Sequence, residues 1–271
     1  MIASAAASLP SRIRIGMLAL ACAGACVTAL AQPLVPGQLK VALEATYPPF
    51  ESYDGGKIVG FDPELAALLS REMKLKASLA DTKFINLIPG LAGGQHDAVI
   101  SGLYVTSERL AQADALPYAN TGAAILVSKD AKVHPKTEKE LCGLKVGLQA
   151  GNAWVKQVRS LSESHCKPAG QGEITLLEFP TAPEVAQALM SRNVDAQLEI
   201  AGAAKMIVER TKGRLVISSP DLVYPQTLGI YLRKGNVALR QAFETALAAI
   251  RKSGEYAALL KKYDLSPVDA K

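Results

Sequence analysis

The side chain in this chain best suited to gripping a small anion is Arg109, three positions after Thr106. Thr106-x-x-Arg109 reads as the opening of a short helix with the threonine at its N-cap. A cation in a first helical turn opposes the helix dipole, so helix stability does not account for this arginine. A guanidinium set to hold a carboxylate through two parallel hydrogen bonds does. Other chemistry-bearing patterns are scarce. The chain has no G-x-S-x-G, no phosphate-binding glycine loop, no H-E-x-x-H and no Cys-His pair of suggestive spacing. Three histidines and four cysteines, none in close ligand spacing, argue against a metal site. No catalytic residue and no cofactor is expected.

Composition narrows the partners. Thirty basic residues against 25 acidic ones give a mild +5, and they are scattered, which makes nucleic acid a poor partner. Aromatic residues are only 5% of the chain, so their positions carry information. Arg12 and Arg14 precede an uncharged, mostly small and apolar run, Ile15 to Leu30, and Ala29-Leu30-Ala31 fits the small-x-small rule for cleavage. Residues 1–31 are expected to be a signal peptide cut after Ala31. A membrane anchor would need a longer and more hydrophobic run. A lipid on Cys26 is the weaker alternative, because the leucine usual three residues earlier is absent. Cleavage removes Cys22 and Cys26 and leaves Cys142 and Cys166. In an oxidising compartment that pair favours a disulfide.

These side chains must be positioned by alternating strands and helices. Leu39, Val41, Leu43 and Ala45 share one face of a first strand, ended by Pro48-Pro49. Asp62 reads as an N-cap followed by Pro63 at the first helical position, with Leu65, Leu68, Leu69 and Met73 on one helical face. A strand at Lys76–Ala80, a short helix carrying Leu87, Ile88 and Leu91, and a strand at Asp97–Ser101 follow. The order restarts with a strand at Ala123–Ser128 and capping boxes at Thr137-x-x-Glu140 and Thr181-x-x-Glu184. Strands at Leu144–Leu148, Ile174–Glu178, Val194–Glu199 and Leu228–Leu232 precede two final helices. The alternation predicts an α/β fold with a mostly parallel sheet. It also predicts two lobes, the first interrupted by the second, with a ligand cleft between them.

Several segments together carry a resemblance. Leu39-Lys-Val-Ala-Leu-Glu-Ala-Thr-Tyr-Pro-Pro-Phe50, Gly60-Phe61-Asp62, Leu87-Ile88-Pro89 and Asp97-Ala-Val-Ile-Ser-Gly102 run on to Thr106-x-x-Arg109. Lys145-Val-Gly-Leu-Gln149, Asp195-Ala196 and Gly229-Ile-Tyr-Leu-Arg233 follow in order. This series resembles the bacterial extracellular solute-binding proteins of family 3, the periplasmic receptors of polar amino-acid ABC transporters. The resemblance implies a type II periplasmic-binding-protein fold that closes on one small ligand. Residues 32–121 and 228–271 would form one lobe and 122–227 the other, with hinge strands near Asn120–Leu126 and Gln226–Tyr231. It further implies delivery to a membrane permease by a monomer.

The resemblance assigns Arg109 to the ligand's α-carboxylate, helped by backbone N–H groups of Tyr104 and of Asn152, which is expected to open a helix after Gly151. Tyr47 and Phe84 correspond to aromatic walls and Glu44 to a position near the ligand side chain, and Ser101 and Gly102 are further ligand-binding candidates. The carbonyl of Gly102 survives as an ammonium partner. Two departures bear on the ligand. Tyr104 stands where a small hydroxyl residue is usual, and Ile200 where an aspartate holds the α-ammonium. Glu199 would point to the opposite face of a regular strand. The expected ligand therefore keeps a carboxylate but lacks a conventional primary α-ammonium, or presents it differently. Tyr47, Phe84, Tyr104 and Trp154 would then wall a flat ring or an alkylated cation.

Two other classes stay open. Some periplasmic cyclohexadienyl dehydratases share the fold, and Glu44 or Glu199 would serve as a general acid if burial raised its pKa. A receptor feeding a membrane sensor is the other.

Overall fold

Residues 33–268 of the 271 are described by a computed structural model. The signal peptide expected over residues 1–31, its cleavage site, and Cys22 and Cys26 lie outside the described residues.

The strand Gln38–Leu43 buries Leu39, Val41, Ala42 and Leu43 completely and pairs in parallel with Lys76–Asp81 and Ala98–Val99. Two faces of apolar side chains on one strand require cover from both sides. The helices Phe61–Glu72 and Leu87–Ala92 supply apolar faces with buried Leu65, Leu69, Leu87 and Leu91. A second parallel group comprises Ala196–Ile200, Lys145–Gln149 and Thr175–Phe179. Around it lie the helices Ala182–Met190 and Ala201–Arg210.

The two groups belong to one ten-stranded sheet, and the sheet is mixed rather than mostly parallel. The long strands Ala113–Ser128 and Val223–Arg233 run antiparallel between the groups and carry the chain out and back. A chain that leaves one half and returns to it must cross twice in opposite senses, and the alternation of strand and helix does not show that pairing. Their register shifts between Val223 and Gln226 and again between Leu228 and Gly229. Such irregularities bend a ladder locally.

Two local expectations change. The helix expected to begin at Pro63 with Asp62 as its N-cap begins at Phe61, with Gly60 as its N-cap at φ 132°. A Cβ on Gly60 would sit 2.2 Å from the Phe50 carbonyl oxygen, so only glycine fits. Asp62 is freed from capping and turns inward. Thr137 opens a 3-10 turn, Glu138–Leu141, and its hydroxyl donates to Glu140 Oε1 (3.2 Å) instead of capping a backbone N–H. Thr181 does cap its helix, accepting from Glu184 N at 3.4 Å. Cys142 and Cys166 are disulfide-bonded with Cα atoms 5.3 Å apart. No helix among the described residues is long and apolar enough to cross a membrane.

Candidate functional site

The seam between the two halves is built from strand ends. Just past Leu43, Glu44 takes both of its oxygens into hydrogen bonds. Phe84 N donates to Oε1 (3.1 Å), and Gln149 Nε2, from the other half, donates to Oε2 (2.6 Å). Burial is the largest influence on this carboxyl and raises its pKa, partly offset by those two bonds. Ser101 is buried and faces backward. Its hydroxyl donates to Glu51 Oε1 (2.7 Å) and accepts from Glu44 N (3.0 Å), so it supports the wall without lining it.

Behind the seam, Asp62 Oδ2 accepts from Gly102 N (2.7 Å) and Oδ1 from Tyr118 Oη (3.1 Å). This fastens Gly102 in its left-handed turn, φ 54°, where a Cβ would meet the Tyr47 ring and Ile200 at 3.5 and 3.6 Å. Burial lifts the Asp62 carboxyl to about 6 and the neighbouring Glu51 well above the ordinary carboxylate range.

Arg109 is the third residue of the helix Ser107–Gln112, whose N-cap Thr106 accepts from Arg109 N at 3.3 Å. The residue is 9% exposed. Nη1 donates to the Tyr104 carbonyl (2.8 Å) and Nη2 to the Gly151 carbonyl across the seam (3.2 Å). The Tyr104 carbonyl is held in turn by Tyr231 Oη (2.6 Å). Arg109 Cζ lies 5.6 Å from the Phe84 ring centroid. No carboxylate among the described residues pairs with it, because adjacent Glu108 engages Lys156 on the far half. A buried cation held only by carbonyls is poised for an anion.

The far half meets this arginine with Gln149, Asn152, Ala153, Trp154 and Ile200. Asn152 differs from expectation. Its N–H donates to the Gln149 carbonyl (3.1 Å), and its side chain caps Trp154 N (2.9 Å). The helix therefore opens at Trp154, two residues later than expected, and Asn152 spends its own N–H within the turn.

Glu199 also differs. It does not turn away from the seam, because Tyr47 crosses to reach it. Tyr47 Oη donates to Glu199 Oε2 (2.6 Å) and accepts from Ile200 N (3.3 Å). Gln197 Nε2 donates to Glu199 Oε1 (2.7 Å). Burial, offset by those two donors, lifts the Glu199 carboxyl to about 7.

The seam thus gathers Tyr47, Phe84, Gly102, Tyr104, Arg109, Asn152 and Ile200 around one cleft, with Glu44 and Ser101 just behind. Two residues absent from the expected site join them, Gln149 and Ala153. A polar residue at a strand end two positions before Gly151 was the available signal for Gln149. The space left is about 20 Å³, near the volume of one water, and an outer cavity of about 410 Å³ adjoins it at Phe84 and Arg109.

Fold and site define a two-lobed α/β binding protein whose cleft lies where the lobes meet. The chain belongs to the bacterial extracellular solute-binding proteins, family 3, whose pattern matches residues 39–266. It is 31% identical over 229 residues to the L-cystine-binding protein TcyJ of Escherichia coli (strain K12), covering 84% of this chain and 82% of that one. An ancestral arginine-binding protein bound to arginine matches its fold with TM-score 0.73 and 33% identity, covering 84% of this chain and 98% of that one. The ancestral amino acid-binding protein AncCDT-1, a precursor of cyclohexadienyl dehydratase, matches with TM-score 0.73 and 28% identity over 84% and 95% of the two chains.

Proposed function

We propose that the protein is the periplasmic substrate-binding component of an ABC transporter, taking a small carboxylate-bearing solute, an amino acid or a derivative, between two hinged lobes. The observation that carries this reading is Arg109: buried, without a carboxylate partner, and spanning the seam to Gly151. The lobes are residues 32–121 with 228–271, and residues 122–227. The hinge lies at the register shifts of the two long crossing strands. Arg109 holds the ligand carboxylate, and Tyr47, Phe84 and Tyr104 with Gly102, Asn152 and Ile200 enclose the rest. Glu44 and Ser101 brace these walls from behind.

Closure needs no chemistry from the protein. A ligand that prefers the closed arrangement shifts the population toward it. Tyr47–Glu199 and Glu44–Gln149 then bridge the lobes. The closed form, a monomer, is presented to a membrane permease. Export with cleavage after Ala31 supplies the compartment, and the Cys142–Cys166 bond fits it.

Isothermal titration calorimetry of a carboxylate panel tests this reading. Arg109→Gln is expected to weaken the bound solute at least tenfold, the scale of one charged hydrogen bond. Unchanged affinity would refute the carboxylate role.

A second reading is favoured by two observations, the likeness to AncCDT-1 and the Glu199 carboxyl lifted to about 7 at the cleft. It is a dehydratase in which a protonated carboxyl acts as general acid. Incubation with prephenate or arogenate, followed by ultraviolet absorbance, decides it. Formation of an aromatic product would replace the transport reading.

A further inference from the structure

The charges around the cleft are unbalanced. Of the residues lining it, only Arg109 carries a formal charge. Glu44 and Glu199 stand behind the wall with both oxygens of each already engaged. Ile200 presents hydrocarbon, its side chain 98% buried against the turn at Gly102. An ammonium entering here would find the Gly102 carbonyl but no open carboxylate oxygen, in a cleft that already holds the Arg109 guanidinium.

The unspent side-chain groups of the cleft wall can both donate, and one of them can only donate. Tyr104 Oη and Trp154 Nε1 are buried in the cleft wall and lack hydrogen-bond partners, and the two rings meet edge to face with centroids 5.3 Å apart. An indole N–H only donates, so an acceptor alone satisfies it. A buried donor left unpaired is costly, and a ligand acceptor placed there recovers that cost.

We infer, building on the transport reading, that the group beside the ligand's carboxylate is a neutral hydrogen-bond acceptor. It is a carbonyl such as that of a 2-oxo acid or an N-acyl amino acid, and not an ammonium. Arg109 takes the carboxylate while Tyr104 and Trp154 take the carbonyl oxygen. The expectation of a ligand without a conventional ammonium thereby acquires a positive chemical identity.

Trp154 is the only tryptophan of the chain, so its fluorescence reports the cleft directly. The purified protein is titrated with ligands matched in side chain: phenylpyruvate, N-acetylphenylalanine and phenylalanine, then the corresponding leucine and glutamate sets, and glycine betaine. In at least one set the 2-oxo or N-acetyl acid is expected to bind tenfold or more tighter than its amino acid. By calorimetry, the Tyr104→Phe, Trp154→Phe double variant loses this preference, and Ile200→Asp shifts it toward the amino acid. An amino acid binding as tightly in every responsive set overturns the inference. So does betaine as the sole binder, or silence from every 2-oxo and N-acetyl acid. The parent reading fails separately if the bound ligand is indifferent to Arg109→Gln.

Discussion

Arg109 and Glu199 are buried ionisable groups, and burial disfavours the charged form of each. They respond differently. A guanidinium keeps its proton and must find acceptors, which it does in the Tyr104 and Gly151 carbonyls. A carboxyl holds its proton instead, and Glu199 rises from 4.5 to about 7. The sign for stability follows. Between about pH 4.5 and 7 the unfolded chain has released this proton and the folded chain has kept it, so the folded state is favoured at the acid end and loses that advantage as pH rises. Asp62, Glu44 and Glu51, also raised by burial, add in the same sense, while buried His96, its pKa lowered chiefly by burial, acts oppositely. Glu199→Gln isolates one term. In differential scanning fluorimetry the melting temperature of this variant should fall less between pH 5.5 and 7.5 than that of the unmodified protein. Equal slopes would show that Glu199 does not titrate in this window.

At the scale of elements, the site depends on a turn at Gly60 that no side chain could occupy. Gly60 caps the helix Phe61–Glu72 with its α-carbon pressed against the Phe50 carbonyl. That placement turns Asp62 toward Gly102 and Tyr118, and so holds the cleft wall from behind. Gly60→Ala should therefore destabilise the fold by about 3 kcal/mol, since backbone must move to admit the methyl group. The same change should weaken ligand binding through Gly102. Chemical denaturation measures the first effect, and a stability within 0.5 kcal/mol of the original, about the scatter of neutral surface changes, would contradict the assignment.

For the whole molecule, two hydrogen bonds of 2.6 Å join the lobes, Tyr47 to Glu199 and Gln149 to Glu44. Neither partner of either pair is adjacent in sequence, so these contacts exist only when the lobes are together. The Tyr47→Phe, Gln149→Leu double variant removes both donors and should shift the free protein toward an open arrangement. Small-angle scattering is expected to give a larger radius of gyration for the variant without ligand. Identical scattering curves would mean that these bonds contribute nothing to closure.

The sequence by itself determined most of the strand and helix order, the cysteine pair, the family and most of the residues gathered at the cleft, but not the helix Ala201–Arg210 or the strand Leu215–Ile217. Those rest on local signals: apolar alternation, helix caps and glycine turns, and short motifs in a fixed order. Tertiary structure decided what adjacency along the chain cannot encode. It paired two distant strands antiparallel between the halves, took Asp62 from a helix end into the core, and spent the Asn152 N–H on Gln149. It also brought Tyr47 across to Glu199, a residue that strand alternation had turned away. Arg109 could be picked out from its place in a helix that gains nothing from it. That it lies buried without a carboxylate, near donors with no partners, could be seen only once strand ends from two lobes met, because burial and pairing are properties of the assembled neighbourhood.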